Sequence, residues 1–318
     1  MNVNPVPPFH ELPFASDRDR ERAAWSVWGA DDSLGSINRI GPDQVVQAAS
    51  LVRTGDVISL SLPLDEPDPG LFPERPPFSH SAFATRNGRD DKLDDFYLQG
   101  SSHWDGLRHI RYRQYYWGGR TDEHLDQSAD LGIEKWAEHG MITRGVLLDV
   151  AGHLASRGKP VAFDRRFEIT VELLEEVAAQ EGVRFREGDI LLVRTGWVEG
   201  YRAAPDEVRQ AMAGTIGNGF ECPGLESSQQ MAQWLWDAGI AGITSDNPAV
   251  EVLPVDREKG FLHRRLIALQ GMAVGELWWL RDLAEHSART GRFEFLLVSA
   301  PLRLTGGVGS PANAYAVF

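Results

Sequence analysis

The densest set of reactive side chains lies in Gln99-Gly100-Ser101-Ser102-His103-Trp104-Asp105-Gly106-Leu107-Arg108-His109. Gln99, His103, Asp105 and His109 all fall at odd positions. In an extended chain, residues two and four apart share a face. An imidazole and a carboxylate on one face suit a divalent metal ion. Gly100, Ser101, Ser102 and Gly106 are small enough to let the backbone come close and turn. Spacing alone leaves two readings open, a metal site and a hydrogen-bonded structural cluster. Trp104 alternates to the other face, where it is expected to form the floor of a substrate pocket.

The flanking sequence predicts the elements that position this segment. Residues 42–53 read as a short amphipathic helix with Pro42 at its start. Residues 56–64 read as a strand, ended by Pro63 and a long loop carrying Pro67 to Pro77. Residues 145–150 (GVLLDV) and 189–193 are apolar runs of strands buried on both faces. Helices are expected from Thr170, over 229–238 and over 262–269, the last closed by Gly271. Strands are expected at 240–244 and 293–298. Helices alternating with buried strands predict an α/β or mixed layered fold. No linker or repeat divides the chain. The expected organisation is an N-terminal arm, 1–24, wrapping or mobile and with a charge run from Asp17 to Arg22, and one domain, 25–318.

Composition narrows the function. The chain has 318 residues, 42% hydrophobic and 25% charged, the balance of a globular protein. It carries 32 Lys+Arg against 46 Asp+Glu, a net charge of −14. That charge repels phosphate backbones, and the basic clusters are short, so no nucleic-acid partner is expected. No run reaches the ~20 apolar residues of a membrane span. The first thirteen residues show no secretory signal pattern, and Cys222 is the single cysteine. A reducing, cytoplasmic compartment is therefore expected. Cys222 reads as a packed thiol. Gly214, Gly217 and Gly219 form no phosphate loop. His10, His80, His124, His139, His153 and His286 read as surface or loop histidines. The expected partners are a small-molecule substrate and further copies of the chain, as a homodimer or homotetramer.

The segment 99–109 resembles the signature His-x-Gly-Thr-His-x-Asp-x-Pro-x-His of the cyclase family, which includes bacterial kynurenine formamidase and isatin hydrolase. His103, Asp105 and His109 match its second His, its Asp and its last His. Ser102 replaces the Thr, Leu107 the Pro, and Gln99 the first His, as is common in the longer branch. Further segments resemble the family in order: Trp28 to Asp32 with Gly35 and Asn38; Arg144 to Val150; Asp189 to Trp197; Thr244 to Pro248 with Val250-Glu251; and Pro301 to Leu304 with Gly309 to Pro311.

The resemblance implies an α/β single-domain fold of the swivelling β/β/α type and a metal-dependent hydrolase of an amide-like C–N bond. It implies one or more divalent ions, manganese or zinc, held by His103 and Asp105 with His263 or Glu276, and with Gln99 as an optional further donor. It makes His109 the proton carrier, joined by Glu276 as a catalytic group, with Gln99, Trp104 and Asp246 facing substrate. His263 and Glu276, thirteen apart, do not share a helix face at ~100° per residue. Gly271 breaks the helix, so Glu276 is expected to return on the next strand. A ring-closing enzyme acting on a polyketide-like carbonyl substrate, a metal-free site and a silent ligand-binding protein are the alternatives. The first needs the same Lewis acid and base.

Overall fold

The structure is a computed structural model that describes residues 5–16 and 20–318. Part of the charge run expected in the arm, residues 17–19, lies outside the described residues. In chain order the strands are β1 (Val57–Ser59), β2 (Ser79–Ala84), β3 (Arg89–Asp94), β4 (His103–Asp105), β5 (Met141–Leu148), β6 (Phe167–Ile169), β7 (Ile190–Val193), β8 (Pro223–Leu225), β9 (Gly242–Ser245), β10 (Ala273–Glu276), β11 (Glu294–Ser299), β12 (Gly309–Pro311) and β13 (Ala314–Val317). Nine of them form one sheet in the order β1-β13-β11-β5-β7-β9-β10-β4-β12. Its centre, β5-β7-β9-β10, is parallel, and both flanks are antiparallel. This is a mixed α/β domain.

The apolar runs have the two-sided burial expected of them. Along β5 and β7, Leu147, Ile190 and Leu192 face one core, together with Trp104, Trp136 and Phe295. Their neighbours Val146, Leu148, Leu191 and Val193 face a second core, with Leu174, Met231 and Leu266. Each such side chain contributes roughly 1.5–3 kcal/mol on burial. The centre of the sheet therefore carries most of the layer-to-layer attraction.

Local chemistry moves several expected boundaries. The strand expected over 145–150 ends at Leu148, because Asp149 caps the helix Val150–Ser156 by accepting from the Gly152 amide. Thr170 and Ser228 cap the helices Val171–Glu181 and Gln229–Asp237 in the same way. The helix starting at Pro42 stops at Ala49. The strand expected over 56–64 shrinks to three residues at the sheet edge. Residues 264–269 form a π-helical turn rather than an ordinary helix. The described part of the arm is packed: Phe9 and Leu12 are buried, and the Phe9 amide donates to Asp237. No helix among the described residues is long and apolar enough to cross a membrane.

Candidate metal centre

β4 runs antiparallel to β10, with His103 opposite Glu276, Trp104 opposite Gly275 and Asp105 opposite Val274. Directly opposed residues share a face. His103, Asp105 and Glu276 therefore converge on the face of the second core, at the carboxyl end of the parallel strands. One ligand atom from each lies within 4.8 Å of the others, and all three residues are buried. His103 Nε2 stands 3.4 Å from Asp105 Oδ1 and 3.4 Å from Glu276 Oε2. Ligand atoms placed tetrahedrally at ~2.1 Å from one ion stand about 3.4 Å apart.

Hydrogen bonding sets the tautomer of His103. Its Nδ1 lies 2.7 Å from the Ser101 carbonyl, which can only accept, so Nδ1 carries the proton. The Nε2 lone pair then faces the carboxylates. His103 Nε2 and Asp105 Oδ1 are buried without a hydrogen-bond partner. Orphaned polar atoms of this kind are rare in a folded interior. Two carboxylates and an unprotonated imidazole nitrogen around one buried point are a donor set that a divalent cation fits.

His263 lies just before the π-helical turn. Its Nδ1 is 2.6 Å from Glu251 Oε1 and its Nε2 is 2.8 Å from Glu276 Oε1. Both ring nitrogens of His263 meet carboxylates, whereas Glu276 stands beside His103 and Asp105 with a ligand atom near both. Glu251, absent from the sequence-based set, is fully buried. It accepts from Ser227 Oγ (2.6 Å), the Leu262 amide (2.8 Å) and the His263 amide (3.0 Å), besides the imidazole. The signal for it was a lone carboxylate inside the apolar run Ala249 to Leu253, because a buried charge needs partners. Val250 (φ 50°) and Leu277 (φ 57°), each beside one of these carboxylates, adopt left-handed backbone. Such strain in non-glycine residues clusters at functional sites.

The electrostatics follow from three carboxylates around two buried imidazoles. Burial opposes charge on His103, but Asp105 and Glu276 outweigh it and raise its pKa to about 9. His263 is likewise raised well above the ordinary value, against its burial, by Glu251 and Glu276. Asp105 and Glu276 are held below the usual carboxylate range despite burial, Asp105 chiefly by His109 and His103, and Glu276 chiefly by the neighbouring imidazoles of His103 and His263. The pocket thus demands positive charge, which protons supply when no cation is bound.

His109 reaches the cluster by a turn and not along an extended strand. β4 ends at Asp105, and the His109 amide donates to the Gly106 carbonyl. A side chain on Gly106 would lie 2.7 Å from the Val308 carbonyl, so this turn requires glycine. His109 Nε2 lies 3.5 Å from Asp105 Oδ1, with 21% of its side chain exposed, which makes His109 the most open member of the cluster. Burial lowers its pKa and favours the neutral form. Gln99 also lies outside the strand. A Cβ on Gly309, opposite Asp105, would come within 2.7 Å of Gln99 Nε2, so the Gln99 amide covers β12 on the Asp105 face.

Two expected substrate contacts are not placed at the cluster. Trp104 is fully buried in the opposite core, its Nε1 donating to Ser299 Oγ and its ring meeting Trp278 edge-on. Asp246 follows β9, but its carboxylate accepts from the Thr195 amide, Thr195 Oγ1 and the Gly196 amide. It ties two strand ends together. His153 and His286, read as surface or loop residues, are buried on helices.

The mixed sheet, its helical layers and this buried cluster at the strand ends define an α/β protein of the cyclase type. The chain belongs to the cyclase family: the family model described as "Putative cyclase" matches residues 58–252, more than half of its length. The crystal structure of a novel cyclase is 31% identical over 93% of this chain and 99% of that one, with a TM-score of 0.80. Isatin hydrolase A from Labrenzia aggregata, bound to benzyl benzoate, shares the fold at 17% identity, covering 86% and 97% of the two chains, TM-score 0.58. An isatin hydrolase bound to the product analogue thioisatinate does so at 15% identity, covering 87% and 98%, TM-score 0.55. No curated protein matches the sequence.

Proposed function

We propose that the protein is a metal-dependent hydrolase of an amide-like C–N bond in a small molecule, of the aryl formamide, cyclic amide or imide class. The observation that carries this reading is the buried trio His103 Nε2, Asp105 Oδ1 and Glu276 Oε2, two of whose atoms lack any partner. These three would hold a divalent ion, manganese or zinc. When bound, such an ion supplies Lewis acidity to a carbonyl and makes water more acidic.

The chain's own residues do the rest. Ser101 fixes the His103 ring. Glu251 fixes His263, and His263 in turn holds the second oxygen of Glu276. Neutral His109, at the open side, takes a proton from water and delivers it to the leaving nitrogen. The Gln99 amide, over Gly309, hydrogen-bonds the substrate.

The test is metal analysis of freshly purified protein, then activity against aryl formamides, cyclic imides and lactams with and without chelator. The expected result is a bound divalent ion, chelator-sensitive turnover, and one solvent oxygen in the product in ¹⁸O-water. Full turnover without a metal ion, or a product free of solvent oxygen, overturns the reading.

A further inference from the structure

The hairpin β2–β3 stands apart from the body of the protein. All of its strand residues are exposed except Ser81, which is half-buried. Among the described residues, its hydrogen bonds and ion pairs stay within the hairpin. His80 Nε2 lies 3.0 Å from Asp91 Oδ2, Arg89 Nη2 donates to the Ala82 carbonyl at 3.1 Å, and Lys92 Nζ is 2.7 Å from Asp94 Oδ2. A two-stranded hairpin by itself is marginally stable at best, and a third strand is what it lacks. It also holds Phe83 and Leu93 in solvent, 46% and 41% exposed.

The two edges of the hairpin differ. β3 carries Arg89, Asp90, Asp91, Lys92 and Asp94, and charges of this kind guard an edge against strand addition. β2, with the sequence Ser-His-Ser-Ala-Phe-Ala, has no Lys, Arg, Asp, Glu or Pro. The Thr85 amide donates to the Gly88 carbonyl, which makes these two a hydrogen-bonded pair. Bonded and non-bonded pairs alternate from there. Phe83 opposite Asp90 and Ser81 opposite Lys92 are therefore bonded to β3. His80, Ala82 and Ala84 turn their amides and carbonyls to the open edge. Arg89 reaches the Ala82 carbonyl there, and a carbonyl can accept two donors.

From these features we propose that the open edge of β2 is an interface with a second copy of this chain, the two β2 strands pairing antiparallel about a two-fold axis at Ala82. In that register Ala82 opposes the partner's Ala82, Ser81 the partner's Phe83, and His80 the partner's Ala84. The outward amides and carbonyls then meet each other across the axis. Each larger side chain faces a small one. The row that runs from Asp90 through Phe83 continues to the partner's Lys92, so opposite charges close it at its two ends. A net charge of −14 sets copies of the chain against each other, and β2 offers them an uncharged seam. The interface does not depend on the chemistry of the metal cluster.

The experiment is sedimentation equilibrium of the full-length protein from about 1 to 100 µM. Ala82→Pro removes an outward amide and leaves the bonds to β3 in place. It should weaken association by about ten- to hundred-fold and bring the mass to half that of wild type. Asp91→Pro makes the same change on the opposite edge of the hairpin and should leave the mass unaltered. Ala82→Asp and Ala82→Lys each set like charges against each other at the axis. Either alone should show the lower mass, and an equimolar mixture of the two should restore the higher one. Thermal unfolding checks the fold of Ala82→Pro, and the mixture decides the matter without it. Equal mass for wild type and Ala82→Pro, whether monomeric or assembled, overturns the proposal. So does a halved mass in Asp91→Pro, or a mixture that stays at the lower mass.

Discussion

Glu251 holds His263 twice through one oxygen: Oε1 accepts from the imidazole Nδ1 at 2.6 Å and from the backbone amide at 3.0 Å. The other face of the ring meets Glu276 at 2.8 Å. A buried imidazole between two carboxylates couples the interior of the chain to one member of the candidate metal trio. A carboxylate behind a histidine fixes the ring's orientation and tautomer.

Glu251→Gln keeps the shape but removes that charge. Metal affinity is expected to fall by about 10-fold, because His263 then no longer holds the second oxygen of Glu276 in place. Stability should fall by about 1–3 kcal/mol, because the amide cannot accept all four hydrogen bonds. Metal titration and denaturant unfolding measure the two effects. Unchanged zinc and manganese affinities would show that the His263–Glu276 link does not shape the site.

His103 and His109 should separate when each is changed to Ala. His103→Ala should lose the metal ion together with activity. His109→Ala should keep the ion and lose turnover by about 10²–10⁴-fold, the typical contribution of a general acid–base. Metal content and kcat of both variants are the measurements. Retention of metal by His103→Ala with loss from His109→Ala would reverse these roles.

Gln99→Ala should leave metal content unchanged and raise KM more than it lowers kcat, if the amide lying over Gly309 hydrogen-bonds the substrate as proposed. Loss of the ion from Gln99→Ala would make the amide a ligand instead. Gly309→Ala tests the same placement from the other side. Its methyl would lie 2.6 Å from the Trp104 carbonyl and 2.7 Å from Gln99 Nε2, so a loss of about 1–3 kcal/mol in stability is expected with a similar rise in KM.

Glu181 gives a pH dependence away from the cluster. Burial, reinforced by Asp149 nearby, raises its pKa to about 8, although it accepts a hydrogen bond from the Asp149 amide. The folded state therefore binds this proton more tightly than the unfolded chain does. The associated stability is complete below the ordinary glutamate pKa and is lost as pH rises from about 4.5 through about 8. Glu181→Gln, which stays neutral, should gain on wild type by about 1 kcal/mol or more between pH 5 and pH 9. Chemical denaturation at the two pH values checks this, and a constant difference would contradict it.

The buried strands were legible because a sheet covered on both faces leaves apolar residues at every position, as in Leu147 and Leu192 with their neighbours. The capped helix at Thr170 was legible because its signals are local. The pairing of His103 with Asp105 was also legible, since both lie on one short strand. Gly271 correctly announced the return of Glu276, because a glycine at φ 65° ends the helical turn within the chain itself. The hydrophobic pattern and local turn chemistry of the sequence thus determined the layered α/β fold and the His103–Asp105 half of the cluster, while the resemblance to the cyclase family supplied His263 and Glu276. Tertiary structure alone decided how the halves meet. The register of β4 on β10 sets Glu276, not His263, opposite His103. The turn at Gly106 brings His109 back where an extended strand would not. Glu251, Trp104 and Asp246 acquire their places from partners 12 to 195 residues away in sequence. Such long-range contacts depend on how strands are ordered and aligned, and local spacing carries no record of that.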